Sequence, residues 1–132
     1  NHRDLGNNHE GDGRACLGRG WIQVTGRFNY QPYTKYRKLK FNDNTDYTSL
    51  DGREKLTNDP SIASDSAGWY WTQGSYENGK PINLNALADE DDVVKISKKV
   101  NGGNIGLEDR EKRLNKAKEI LEEENLEEIR IP

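Results

Sequence analysis

The chain has 132 residues, with 20 Lys+Arg against 23 Asp+Glu and a net charge of -3, so no general polyanion-binding surface and no nucleic-acid partner is expected. Hydrophobic residues make up 31% and charged residues 33%, which leaves little apolar surface to offset chain entropy. A hydrophilic domain has this composition, and so does a fragment that packs on another segment; no apolar run approaches a membrane span, and no signal peptide is visible.

Residues 1–20 are rich in Gly, Asn, Asp and Arg and predict an irregular loop. The lone cysteine, Cys16, excludes an internal disulfide framework and reads as a small buried residue. Neither His2 nor His9 stands at metal-ligand spacing to it or to the other, so no zinc site and no cofactor are expected. Trp21-Ile22-Gln23-Val24-Thr25, closed by Gly26, predicts a short strand. A period of two sets Ile22 and Val24 on a core face and Trp21, Gln23 and Thr25 on the other, which is either a cleft wall or a solvent-facing edge.

A helix is predicted over Phe28–Leu39, with Tyr33, Tyr36 and Leu39 on one stripe and Pro32 near its start. The basic stretch 35–40 is followed by Asp43, Asp46 and Asp51 and reads as a solvated face. Residues 42–51 are turn-like, a short helix covers Arg53–Thr57, and a longer one runs from Ser61 to Gln73 behind Pro60. Gly74–Leu84 is expected to be a loop. Asp89–Val100 predicts a helix with acidic residues in its first turn and Lys98 and Lys99 in its last, matching the helix dipole. Val93, Ile96 and Val100 form its stripe, and Asn101-Gly102-Gly103 ends it.

The last helix runs from Leu107 to Glu124, with Leu107, Leu114, Ala117 and Leu121 at three-four spacing. Arg110 falls on that apolar stripe. A buried guanidinium needs a carboxylate or several carbonyl partners, whereas one at the end of a stripe can snorkel to water. The pattern leaves both open.

Residues 11–30, from Gly11-Asp12-Gly13 through Gly18-Arg19-Gly20 and Ile22-Gln23-Val24-Thr25-Gly26 to Asn29-Tyr30, closely resemble the signature of family 19 glycoside hydrolases. Residues 1–7 are similar to the loop that leads into it. Ala67-Gly68-Trp69-Tyr70-Trp71 resembles the family's aromatic helix, and residues 96–103 with 107–110 its Ile-Asn-Gly-Gly block and following Leu-x-Asp-Arg. Order and spacing agree along almost the whole chain, which therefore resembles the C-terminal two-thirds of one such domain, residues 1–132.

The resemblance implies a mainly α, lysozyme-like fold with two lobes and a short extended segment at a cleft. It implies inverting hydrolysis of β-1,4 bonds in peptidoglycan or chitin, with one carboxylic acid and one carboxylate base. Thr25 matches the hydroxyl that holds the attacking water, and Arg110 an arginine that pairs with the catalytic acid. Gln23, Asn29 and Asn101 match sugar-binding positions, with Tyr30 beside them; Asn101 also reads as a helix C-cap. Trp21 stands where Pro or Leu is usual and offers a flat ring for stacking.

In the family both catalytic carboxylates precede the signature, so the acid is expected from an N-terminal segment before this chain or from another chain. His9-Glu10 imitates the family's His-Glu pair, which makes Glu10 a candidate substitute carboxylate against the simpler reading of a solvated loop residue. The single cysteine and Thr25 look like bacterial or phage lysozyme-type members. Peptidoglycan is then preferred over chitin, with action at the bacterial cell wall after delivery by phage lysis or a secretion system. The competing expectation is an inactive glycan-binding or structural module of such an apparatus.

Overall fold

A computed structural model describes residues 5–130, with side chains described to residue 123. Residues 1–4 of the leading loop and the side chain of Glu124 lie outside the described residues. The fold is mainly helical: α1 (Asp12–Ala15), α2 (Arg27–Phe41), α3 (Leu50–Asn58), α4 (Pro60–Trp69), α5 (Leu84–Asp89), α6 (Val93–Asn101) and α7 (Leu107–Arg130). A hairpin of β1 (Ser75–Glu77) and β2 (Lys80–Ile82) lies between α4 and α5. The chain divides into two compact units after Ala86.

The first unit builds its core from tyrosine. Tyr30, Tyr33 and Tyr47 have no exposed surface, and Leu56, Leu84, Val24 and Cys16 are buried with them. The Tyr33 ring lies 4.9 Å from Tyr47 and 5.3 Å from Trp69, within the range of favourable aromatic pairs. Each of these three tyrosine hydroxyls has a partner: Tyr30 donates to Leu17 O (2.8 Å), Tyr33 to Asp65 (2.8 Å) and Tyr47 to Asp43 (2.6 Å). Arg37 ties those two carboxylates together, at 3.1 Å from Asp43 and 3.3 Å from Asp65. Burial, and the hydrogen bond to Asp43, push the Tyr47 hydroxyl up to about 12. A chain poor in aliphatics thus closes a core by burying aromatic rings whose polar ends are satisfied.

Several expectations need correction. The inner face of α2 is Tyr30 and Tyr33, whereas Leu39, near the end of the helix, is 80% exposed. Tyr47 is a core residue inside a polar loop. The short helix is longer than expected, Leu50–Asn58, because Ser49 caps it by accepting from Gly52 N. Asp59 caps α4, which ends in a π-helical turn, Tyr70–Gly74. The expected loop 74–84 contains the hairpin, turned by Asn78 (φ 51°) and Gly79 (φ 74°), the Asn-Gly pair that left-handed hairpin turns favour.

In the second unit one helix is expected from Asp89, but α5 ends there and α6 starts at Val93, capped by Asp92 accepting from Lys95 N at 3.0 Å. Val93, Ile96 and Val100 are half-buried; Ser97 is the one buried residue among the unit's described residues. On α7, Leu107, Arg110 and Leu114 are half-buried, while Ala117 and Leu121 are exposed. Lys118 donates to Asp91 at 2.6 Å. No helix among the described residues is long and apolar enough to cross a membrane.

Candidate functional site

The segment expected as a strand is a tight turn. Arg19 and Val24 exchange backbone hydrogen bonds (3.1 and 2.9 Å), and Gln23 N donates to Gly20 O at 3.3 Å. Gln23 takes a left-handed conformation, φ 62°, which breaks the period-two alternation. Val24 is buried as expected, but Ile22 is only half-buried. Trp21 lies at the tip of the turn, 71% exposed.

The turn is anchored on the N-terminus of α2. Gly26 N donates to Cys16 O (2.8 Å) and Phe28 N to Leu5 O (3.1 Å). Asp12 accepts from Arg27 Nε at 3.0 Å and Nη2 at 2.5 Å, and from His9 N at 3.0 Å. The Arg27 guanidinium holds the Asp12 carboxyl well below the usual carboxylate range. Asp12 is therefore a structural buckle and cannot serve as a general acid near neutral pH.

Gln23 and Thr25 converge over Gly18. A Cβ at Gly18 would stand 2.9 Å from Gln23 Oε1 and 3.0 Å from Thr25 Oγ1, so only the bare backbone of glycine leaves both oxygens in place. Their donor atoms are engaged within the turn: Gln23 Nε2 donates to Gly20 O (2.8 Å) and Thr25 Oγ1 to Gln23 O (2.7 Å). Asn29 Nδ2 likewise donates to Thr25 O at 2.7 Å. Among the described residues the oxygens of Gln23 and Asn29 take no donor, so the three side chains present acceptors.

Gln23 and Trp21 line an open hollow of about 320 Å³ whose other walls include Gly18, Leu56, Pro60 and Ala63. Among the described residues no carboxylate lines it. Glu10 is exposed at the start of α1 and is not among its lining residues. Tyr30, expected beside the sugar, is instead a core residue whose hydroxyl holds Leu17 O and accepts from Arg19 at 3.2 Å. No group of three or more His, Cys, Asp or Glu among the described residues could hold a metal.

The second unit brings Asn101 and Arg110 together. With the Asn101 amide oxygen turned to the guanidinium, it accepts from Arg110 Nη2 and from Nη1 at 3.3 Å. The carboxylates beside Arg110 in sequence are engaged with other cations, Asp109 with Arg113 (2.8 Å) and Glu108 with Lys112 (3.3 Å). Arg110 is half-buried, between the two readings that the pattern left open. Asn101 is the last residue of α6, and Gly102 (φ 77°) closes the helix by donating to Lys98 O.

Gly18 escaped the sequence reading as a site residue. Its signal is the Gly-Arg-Gly triplet beside a polar turn, where glycine marks close approach.

Over 108 residues the chain is 32% identical to a protein of Haemophilus influenzae named glycosyl hydrolase family 19 domain-containing protein. The match takes in 80% of the chain and 44% of that protein, so the chain spans less than half of the relative's length. No protein-family profile matches the chain. No solved structure matches it. The chain is thus similar to a family 19 glycosyl hydrolase domain, and glycoside hydrolase-like in that sense.

Proposed function

We propose that the chain supplies the water-holding and sugar-binding side of a glycoside hydrolase that cleaves β-1,4 bonds of peptidoglycan, or of chitin, with inversion. The observation that carries this is the convergence of Gln23 Oε1 and Thr25 Oγ1 over Gly18 beside an open hollow with an exposed tryptophan at its rim. Outward acceptors suit a ligand rich in hydroxyl donors, and a water that donates to Thr25 Oγ1 turns a lone pair away from it toward a sugar carbon. The similarity to the Haemophilus protein supports the reaction class.

Inversion needs an acid and a base some 6.5–9.5 Å apart. Asp12 is disqualified by Arg27, and the reaction draws its carboxylates from elsewhere, with Glu10 a candidate. Arg110 then orients or pairs with the acid, and Asn101 contacts sugar beside it. The substrate is reached at the bacterial cell wall, by lysis or by secretion. The alternative, a glycan-binding module without catalysis, is favoured by one feature: among the described residues no carboxylate lines the hollow next to Gln23.

The test is clearing of purified cell walls, and release of reducing ends from chitin, by the chain and by the whole gene product that contains it. Clearing that Thr25→Ala abolishes supports the hydrolase. Glycan binding without clearing by the whole product supports the module. Neither binding nor clearing defeats both.

A further inference from the structure

The two helices of the second unit differ in length: α6 has 9 residues and α7 has 24, about 14 Å against about 36 Å. Asn101, at the end of α6, meets Arg110, and Lys118 reaches Asp91 just before α6 begins. The shorter helix therefore runs alongside residues 110–118, and α7 continues beyond it to Arg130. Residues 119–123 are all exposed, Ile120 and Leu121 by 44% and 58%. With Ala117 they carry the apolar stripe of α7 onto a surface that no described residue of the unit covers.

Charge lies along α7 in two blocks. Residues 112–118 hold Lys112, Arg113, Lys116 and Lys118 and no carboxylate, whereas residues 119–128 hold six Glu and no cation. The acidic block opposes itself: Glu119 and Glu123 stand four apart, and the C-terminal end of a helix dipole favours cations, not anions. That end of α7 calls for a partner that is both apolar and basic.

We propose that this end of α7 is a self-association surface, whose occupant is α7 of a second copy of the chain, packed antiparallel about a two-fold axis. Antiparallel pairing sets the basic block of each helix against the acidic block of the other, so one self-complementary patch serves both copies. Ala117 and Leu121 then lie near the axis, where apolar side chains interdigitate. Parallel pairing in register would set like charges together and is disfavoured. The pairs that Lys112 and Arg113 make with Glu108 and Asp109 are exposed, so exchanging them for partners on the second copy costs little. A basic, apolar segment of another protein matches this surface only in part, since it leaves the basic block of α7 without a counterpart.

Sedimentation equilibrium of the full chain, from about 10 µM to about 1 mM, should show a reversible monomer–dimer equilibrium. Leu121→Ser should raise the dimer dissociation constant about tenfold or more, because both copies lose an apolar contact at the axis. Lys112→Glu with Lys116→Glu neutralises the basic block; Glu119→Lys with Glu122→Lys and Glu123→Lys neutralises the acidic one. Each of these charge variants alone should dimerise more weakly than the parent. Their mixture restores one of the two block contacts and should lie between. A monomer at every concentration overturns the proposal, as does a dimer that Leu121→Ser leaves unchanged. Charge variants that associate as tightly as the parent, or a mixture no tighter than its parts, overturn the antiparallel arrangement. Helix content and melting by circular dichroism show that each variant is folded.

Discussion

Arg27 grips Asp12 with two nitrogens, Nε and Nη2, while the carboxylate is 3% exposed and also receives His9 N. The pair fastens the glycine-rich loop to α2. Arg27→Ala leaves a buried carboxylate without its cation, the costly way to break an ion pair. The melting temperature should fall by several degrees, and by less in Arg27→Lys, which keeps the charge but loses the fork. Thermal melts at neutral pH measure both.

Acid should unfold the first unit through the same group and one more. Asp12 is held low by Arg27. At Asp43, burial works upward, but the hydrogen bonds from Tyr47, Thr45 and Arg37 outweigh it and hold the carboxyl well below the usual range. A carboxyl depressed in the folded state stabilises fully above its unfolded value of about 3.9, and that stability is lost as the pH falls through and below it. Melting temperature should be level from pH 7 to 5 and decline below about 4. In Asp43→Asn the decline should be shallower, from a lower starting value.

Helix ends are legible where their signals are local, as where Pro60 opens one helix and Gly102 closes another, whereas Ser49 and Asp59, which cap two helices with their side chains, read only as turn residues. What escaped depends on partners far along the chain. Tyr47 reads as a loop residue until Asp43 and Tyr33 surround it. Leu39 reads as core until Tyr30 and Tyr33 fill that face. The Asn78-Gly79 signal was present, but the surrounding Gly, Pro and Asn residues masked two three-residue strands. At the site, composition alone could not reveal that Gln23 adopts φ 62°, which turns a strand into a loop that still gathers Gln23 and Thr25.

Thr25 carries two jobs that substitution can separate. Its hydroxyl donates to Gln23 O at 2.7 Å, which holds the left-handed residue, and it retains lone pairs for a water. Thr25→Ala should cost about 1 kcal/mol of stability for the lost hydrogen bond. Turnover on cell walls by an active form should drop roughly 10–100-fold, less than loss of a full general acid or base. Thr25→Ser should keep most of both. Equal turnover in Thr25→Ala and the parent would remove the water-holding role.

Gly18→Ala tests the site without touching either of its polar side chains. The new methyl would stand 2.9 Å from Gln23 Oε1 and 3.0 Å from Thr25 Oγ1, so the flexible end of Gln23 must swing aside. Stability should change by no more than about 1 kcal/mol, because the clash is with a movable side chain. Chito-oligosaccharide affinity should fall by roughly tenfold. Unchanged affinity, measured by calorimetry, would place the glycan elsewhere.

Asn101→Asp examines whether Arg110 must remain available. In the structure the guanidinium meets the Asn101 amide oxygen, a neutral acceptor, while Asp109 and Glu108 pair with other cations. A neutral partner orients Arg110 without cancelling its charge, leaving it able to attract a carboxylate. Aspartate at 101 supplies that carboxylate locally and converts the contact to a charge-assisted one. Because Arg110 is half-buried and residue 101 exposed, the gain in stability should be no more than about 1 kcal/mol. Activity of an active form should nevertheless fall, since Arg110 would already be neutralised, and the acid limb of its pH–rate profile should move as the catalytic acid loses a cationic neighbour. Asn101→Ala is the control: it leaves the charge of Arg110 unpaired and so should disturb activity less than Asn101→Asp. Full activity and an unmoved profile in Asn101→Asp would show that Arg110 serves the second unit's packing and not the reaction.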